Sequence, residues 1–329
     1  MSFEESPNTE KIFSYFNTRI GQYVAPIGLL KVLAIHSAGS SYPRLSVIHE
    51  ARSREWKTQT MKLAMNMFDE DMYIYFGGET TIHGLKNDYG TDLDEKALLM
   101  NDGNALLKSL AKRSRGRWLS ATSVLMTENE YEYSDNIQRF KLKGKVSLII
   151  NLATPSYLRH KNEIFETTLG DRMFIAHAWM KEKYNIQCKR NFDATMKLCP
   201  KVLITERNKK TIQNYSEYEN ELLAYAKDYG ILGVRSTAEC IDIVKAIVRE
   251  NARINDRNYI CEDDIMLIRM LRKYNVDPFV PDEPRVIECL KEGRNYPDIC
   301  HLLRKKSSYY STISLYKKRA MQKGVLDAN

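Results

Sequence analysis

Lys57 and Thr58, side by side at the start of a helical run, are the first residues in this sequence equipped for chemistry. The segment Ala51-Arg-Ser-Arg-Glu-Trp56-Lys57-Thr58 lies between a β-like run and a helix, at the spacing of the phosphate-binding pattern Gly-x-x-x-x-Gly-Lys-Ser/Thr. In that pattern glycine-rich backbone turns its N–H groups onto phosphates, the lysine reaches the β and γ phosphates, and the hydroxyl coordinates Mg²⁺. Lys57 and Thr58 are therefore candidate ATP contacts, with Thr58 also a candidate metal ligand. Ala51 and Trp56 replace both glycines. A bulky side chain resists the φ > 0 or close-approach geometry that glycine permits. The ordinary alternative is a strand–helix connection with a Lys-Thr helix start.

A second candidate pair, Asn101 and Asp102, closes the apolar run Ala97-Leu-Leu-Met100. Where two carboxylates end such a strand, the first anchors the Mg²⁺ shell and the second orients the attacking water. Here Asn101 takes the metal side and Asp102 the catalytic one. Shifting by one residue gives Asp102 to the metal and Gly103 to the base. Either way one acid is missing, and a neutral amide brings no charge to hold an ion. Asn-Asp-Gly is also good turn chemistry.

These residues need strands and helices to position them. Residues 1–36 carry a helical apolar stripe broken by Pro26, and β-like runs follow at residues 45–49, 72–76 (ending in Gly77-Gly78), 96–100 and 146–150. A helix is expected over residues 57–68, a strand or short helix over 118–126, and a mainly helical stretch over 155–230. Tyr131-Glu-Tyr133 and Arg139-Phe-Lys-Leu-Lys143 alternate about the polar turn Ser134-Asp-Asn136, which predicts a β-hairpin. A helical pair, 237–251 and 262–273, comes next. Strands alternating with helices imply an α/β fold with right-handed crossovers and a parallel sheet, its functional edge at the strand C-termini.

At 329 residues the chain has room for two or three domains. No apolar run approaches the ~18 residues of a membrane span, and the start MSFEESPNTEK lacks the basic and apolar regions of a secretory leader. A cytoplasmic protein without membrane contact is expected. The six cysteines show no Cys-x-x-Cys pair, which argues against a zinc site or disulfide framework. The net charge is +8, and most of it is concentrated near the C-terminus: Lys291 to Lys323 hold nine basic residues against Glu292 and Asp298. Pro278, Pro281 and Pro284 mark a linker over 276–284. Beyond it, helical patterns at 285–290, 296–303 and 308–322 have the order of a helix-turn-helix. Its candidate DNA contacts are Arg304, Lys305, Lys306, Tyr309, Tyr310, Lys317, Lys318 and Arg319. Ile313, Leu315 and Met321 are expected to face the core, and Gly324-Val325 suits the start of a wing strand.

The order of elements matters more than any single motif. Tyr23-Val-Ala-Pro-Ile-Gly-Leu-Leu-Lys31, the 51–58 loop, Leu98 to Asp102, a hairpin, Leu148-Ile-Ile-Asn151 and Leu169-Gly-Asp-Arg172 follow one another. Then come Gly233-Val-Arg235, Ala246 to Ala252 and Asn258 to Asp264. Over roughly residues 20–275 this series resembles the AAA+ core of the minichromosome-maintenance helicases and their mobile-element relatives. The resemblance implies a P-loop AAA+ αβα sandwich over 1–205, a helical lid over 206–275, and a winged-helix DNA-binding domain over 285–329. It would make Asn151 sensor 1, Arg172 an arginine finger supplied to a neighbouring subunit, and Arg235 sensor 2. Arginine suits such roles because its fixed fork and permanent charge match developing phosphoryl charge. The ordinary alternatives are a turn cap at Asn151, pairing of Arg172 with Asp171 or Glu166, and a solvated helix start at Arg235. The resemblance also implies ATP and Mg²⁺ as cofactors, a homo-oligomeric ring or filament, and DNA contacts from Arg139, Lys141, Lys143 or Lys145 of the hairpin. The expected function is an AAA+ ATPase-like, DNA-binding, helicase-related protein in replication or maintenance of a mobile or viral element. The alternatives are a catalytically inactive AAA+ scaffold and a DNA-binding regulatory protein.

Overall fold

The computed structural model describes residues 3–326 except 54, 77–79, 110, 136–137, 179–185, 191–203, 205 and 234. Its strands are β1 (Val47–Ala51), β2 (Tyr73–Phe76), β3 (Ala97–Met100), β4 (Glu130–Ser134), β5 (Arg139–Lys143), β6 (Ser147–Ala153) and β7 (Phe174–His177). Five of them form one parallel sheet in the order β2-β3-β6-β1-β7, and β4 and β5 pair antiparallel as a separate hairpin. Strands β1, β3 and β7 are buried along their whole length, as expected where helices cover both faces of a parallel sheet.

Besides a short helical stretch at residues 186–190, the α-helices among the described residues are α1 (Pro7–Arg19), α2 (Ala25–Ser37), α3 (Lys57–Met65), α4 (Ile82–Tyr89), α5 (Gly103–Ser109), α6 (Lys112–Glu128), α7 (Thr154–Glu166), α8 (Glu219–Gly233), α9 (Thr237–Ile254), α10 (Glu262–Leu271), α11 (Asp282–Lys291), α12 (Tyr296–Leu303) and α13 (Tyr310–Gln322). Apolar side chains of α1, α2, α3 and α8–α10 form one core with the sheet, and those of α4–α7 and the hairpin form a second. Every residue of α2 is buried. A helix apolar on all sides has to lie inside, and α2 packs against α1, α3, α9 and the sheet.

The four strand runs and the hairpin appear where the periodicity places them, within two or three residues at each end. Gly77-Gly78 and Asn136 of the expected turns lie outside the described residues. Three expectations are corrected. The break between α1 and α2 is made by Gly21, at φ 107°, while Pro26 sits in the first turn of α2, where a missing N–H costs nothing. Residues 118–126 belong wholly to the 17-residue helix α6. The stretch 155–230 contains a strand, β7, beside β1.

Residues 219–274 share their apolar core with the sheet. A buried charge cluster adds to this union. Glu250 of α9 accepts from Arg249 Nε at 2.6 Å and from Ser40 Oγ at 3.1 Å, and pairs with His36 Nδ1 at 2.8 Å. Burial alone would raise its pKa, but Arg249, His36 and Arg253 bring it down to about 2. The proline-bearing stretch is also anchored. Arg285, itself buried, donates to the carbonyls of Leu232 and Val280 at 3.0 and 3.2 Å and to that of Asp277.

Helices α11–α13 bury Val286, Cys289, Ile299 and Ile313 together with Ile231 and Leu232 of α8. No strand follows α13 through residue 326. The five described cysteines are free and buried, and Cys199 lies outside the described residues. Among the described residues no helix is long and apolar enough to cross a membrane.

Candidate functional site

Strand β1 leads by α3 to β2 at one sheet edge, and β6 leads by α7 to β7 on the other side. Helix α3 joins the core on one face and α7 the core on the opposite face. Neighbouring strands whose connections diverge leave a crevice at their C-terminal ends, the usual ligand position in open α/β sheets. Lys57 opens α3 at the C-terminal end of β1. Asn151 lies in β6 opposite His49 of β1, and Asn101 follows β3 directly.

These residues meet. Asn151 Nδ2 donates to the Lys57 carbonyl and to Asn101 Oδ1, both at 3.1 Å. Asn151 Oδ1 accepts from Lys31 Nζ at 2.8 Å, and the same ammonium reaches Lys57 O at 3.0 Å and Thr60 Oγ1 at 2.8 Å. Lys31 thus fixes which end of the Asn151 amide faces Asn101. It is fully buried, and burial together with nearby Lys57 lowers its pKa well below the usual lysine value. Below it in β1, buried His49 is held neutral by burial, Lys31 and Lys57, and neither ring nitrogen has a hydrogen-bond partner among the described residues.

The loop itself is closed. Lys57 Nζ turns back onto the carbonyls of Ala51 and Arg52 at 2.8 and 2.5 Å. The Glu55 carboxylate accepts from Arg52 N at 2.6 Å. Burial lowers the Lys57 pKa, opposed by Glu55, Glu50 and Asp102 in that order. Trp56 overturns a sequence expectation: it adopts the left-handed conformation that a glycine would supply, at φ 64° and ψ 11°. Its ring packs against the apolar core, and that packing offsets a strain of order 1–3 kcal/mol.

The carboxylate of Asp102 is turned toward its own helix. Its Oδ1 accepts from Asn104 N at 3.1 Å and Asn104 Nδ2 at 2.8 Å, at the start of α5. Gly103 is required by packing: a Cβ there would stand 2.6 Å from Ile150 Cγ2 and 2.7 Å from Leu152 Cδ2. The donor set fits a bound Mg²⁺ poorly, because Asn101 is neutral and one oxygen of Asp102 is engaged in capping. Thr58 is half-buried one residue beyond Lys57. Among the described residues no group of three or more His, Cys, Asp or Glu side chains could hold a metal. A second polar group ends β1 on the opposite face, where buried Glu50 accepts from Thr154 Oγ1 and pairs with His177 Nδ1 at 3.0 Å.

The structure keeps the two arginines apart from this crevice. Arg172 precedes β7 and so lies at the N-terminal edge of the sheet. Its Nη1 donates to Ser123 O, Ser123 Oγ and Thr127 Oγ1 at 2.7, 2.8 and 3.0 Å. Arg235 is committed at the same edge, to the carbonyls of Gly170 and Met173 at 3.2 and 2.8 Å and to Asn275 Oδ1 at 2.8 Å.

Of the basic C-terminal residues, Lys305 pairs with Asp282 at 2.6 Å, and Tyr309 donates to the same carboxylate at 2.9 Å. Arg304 forms the turn between α12 and α13 at φ 56°. Arg304, Lys306, Tyr310, Lys318 and Arg319 are exposed, and Lys317 is half-buried. The inward face of α13 is Ile313, Tyr316 and Ala320, with Tyr309 just before the helix on the same side. Leu315, expected inside, is 46% exposed and Met321 only half-buried, because a 3.6-residue period through Ile313 turns position 315 outward. On the hairpin, Arg139 pairs with Glu132, and Lys141 and Lys143 pair with Glu130, which leaves little excess charge for phosphate.

Lys31 and Glu55 escaped the motif reading. A lone lysine inside the thirteen apolar-rich residues of α2 was the available signal for the first, whereas nothing local separates Glu55 from a solvated loop acid. No family model matches the sequence, and no curated protein matches it.

Proposed function

We propose that this chain is a DNA-binding protein built on an AAA+-type module related to replicative helicases, in which ATP turnover is absent or very slow. The observation that carries this reading is Asn151 bridging the main-chain carbonyl of Lys57 and the Asn101 side chain at the switch point between β1 and β6. A loop lysine, a polar sensor and the end of the acid-bearing strand converge there, as phosphoryl chemistry would need. The closed loop and the absent second carboxylate favour loss of turnover over an active motor. An ATPase remains the second reading, favoured by Lys57 and Thr58 standing in register at the start of α3. Assembly into a ring or filament belongs to the proposal, as does a role in the cytoplasm in maintaining a mobile or viral element. Arg172 enters such an interface only after releasing Ser123 and Thr127.

The DNA surface is the outer side of the α12–α13 helix-turn-helix, where Lys318 and Arg319 are exposed and lack acidic partners among the described residues. Point substitution in the full chain is the appropriate test, because removing α11–α13 would expose Ile231 and Leu232. Each phosphate contact contributes about 0.9 to the slope of log K against log salt. Lys318→Ala/Arg319→Ala should lower that slope by about two with duplex DNA, and Lys305→Ala, already held by Asp282, by less than one. An unchanged slope in the double variant would move the DNA site elsewhere.

A further inference from the structure

The loop between β1 and α3 contains its own anion. Glu55 lies between exposed Arg52 and half-buried Trp56, yet it is only 6% exposed itself. Its carboxylate accepts from a main-chain N–H of the same loop, Arg52 N, at 2.6 Å. Lys57, the cation that a phosphate would meet, is turned onto the carbonyls of Ala51 and Arg52 at the base of that loop. A carboxylate and a phosphoryl group offer the same thing to such a loop: charged oxygens that accept from backbone N–H groups.

We propose that Glu55 is an internal stand-in for phosphate, an autoinhibitory contact that keeps the loop closed to polyphosphate until its side chain swings out. This rests on reading residues 51–58 as a phosphate loop. A ligand entering the loop has to displace a charge-assisted hydrogen bond and turn Lys57 away from two carbonyls. The closed state is therefore favoured while Lys57 and Thr58 stay in place at the start of α3.

The test is calorimetric titration of the full chain with inorganic tripolyphosphate, comparing wild type, Glu55→Ala, Glu55→Gln and Glu55→Ala/Lys57→Ala. Replacing the charge-assisted bond should make Glu55→Ala bind at least about tenfold tighter than wild type. Glu55→Gln, which keeps an oxygen for Arg52 N but loses the charge, should fall between them, and it preserves the comparison should the alanine variant unfold. Adding Lys57→Ala should erase the gain. Equal, measurable affinity in wild type and both Glu55 variants would overturn the lock and leave the phosphate-loop reading standing. A gain indifferent to Lys57→Ala would place binding elsewhere and overturn the lock. No binding by any variant would overturn both the lock and the phosphate-loop reading.

Discussion

Lys31→Met isolates one buried amine, since methionine keeps most of the stem and discards only the nitrogen and its donors. The three acceptors of that nitrogen, Lys57 O, Thr60 Oγ1 and Asn151 Oδ1, are all neutral. Burial and Lys57 therefore push the pKa well below 10.5. A lysine with a depressed folded pKa binds fewer protons folded than unfolded across the interval between its two pKa values. Wild-type stability consequently rises with pH from the folded pKa up to about 10.5, by at most about 1.4 kcal/mol per pH unit from this group. Below that interval both states are charged and the full penalty is present; above it neither is charged. Methionine has no such dependence. The neutral amine keeps two N–H donors for these acceptors, and losing two hydrogen bonds costs about 1 kcal/mol each, so near pH 10 the variant should be less stable by up to about 2 kcal/mol. That deficit should shrink, or reverse, as pH falls toward 7. Urea unfolding followed by tryptophan fluorescence at pH 7, 8, 9 and 10 reads the difference directly. A gap between the two proteins that does not change with pH would refute the account of a buried, charge-starved lysine.

Two further outcomes follow from the packing around the crevice. Gly103→Ala puts a methyl group 2.6 Å from Ile150 Cγ2 and 3.2 Å from the Asn151 carbonyl, and should cost about 1–3 kcal/mol of stability; a thermal midpoint equal to wild type would mean that α5 shifts freely. Arg172→Ala should cost about 1–2 kcal/mol in chemical denaturation through its bonds to Ser123 and Thr127. Unchanged stability with altered assembly would return Arg172 to an intersubunit role.

Strong local pattern made much of this architecture readable. The runs around Ile48, Leu98 and Ile149 are apolar enough to demand burial on both faces, and the alternation of Tyr131, Tyr133, Phe140 and Leu142 specifies a hairpin. Strand β7 escaped because its four residues follow Gly170-Asp-Arg172, and its partner β1 is more than a hundred residues away in sequence. Pairing of that kind leaves no local period. The candidate site divides in the same way. Spacing points to Lys57 and Asn101 and the family resemblance to Asn151, and the three meet because β1, β3 and β6 bring their C-terminal ends together. Trp56 was expected to spoil the loop because its side chain disfavours φ > 0, but tertiary packing of the indole holds the conformation. The roles of Arg172 and Arg235 rest on the family resemblance, which follows order along the chain. Order does not reveal which carbonyls and hydroxyls a guanidinium will find first, and both found partners within the same chain.

Steady-state phosphate release from ATP, measured with Mg²⁺ and duplex DNA for wild type and Lys57→Ala, decides whether the closed loop still supports turnover. A single misplaced charge-stabilising group costs about a hundredfold or more in such chemistry, and here both the open glycine cradle and one carboxylate are missing. Wild type and Lys57→Ala should release phosphate at the same background rate while both still bind DNA. Rapid turnover in wild type that disappears in Lys57→Ala would contradict this expectation, showing that the closed loop opens for ATP and that Asp102 alone suffices for the carboxylate chemistry.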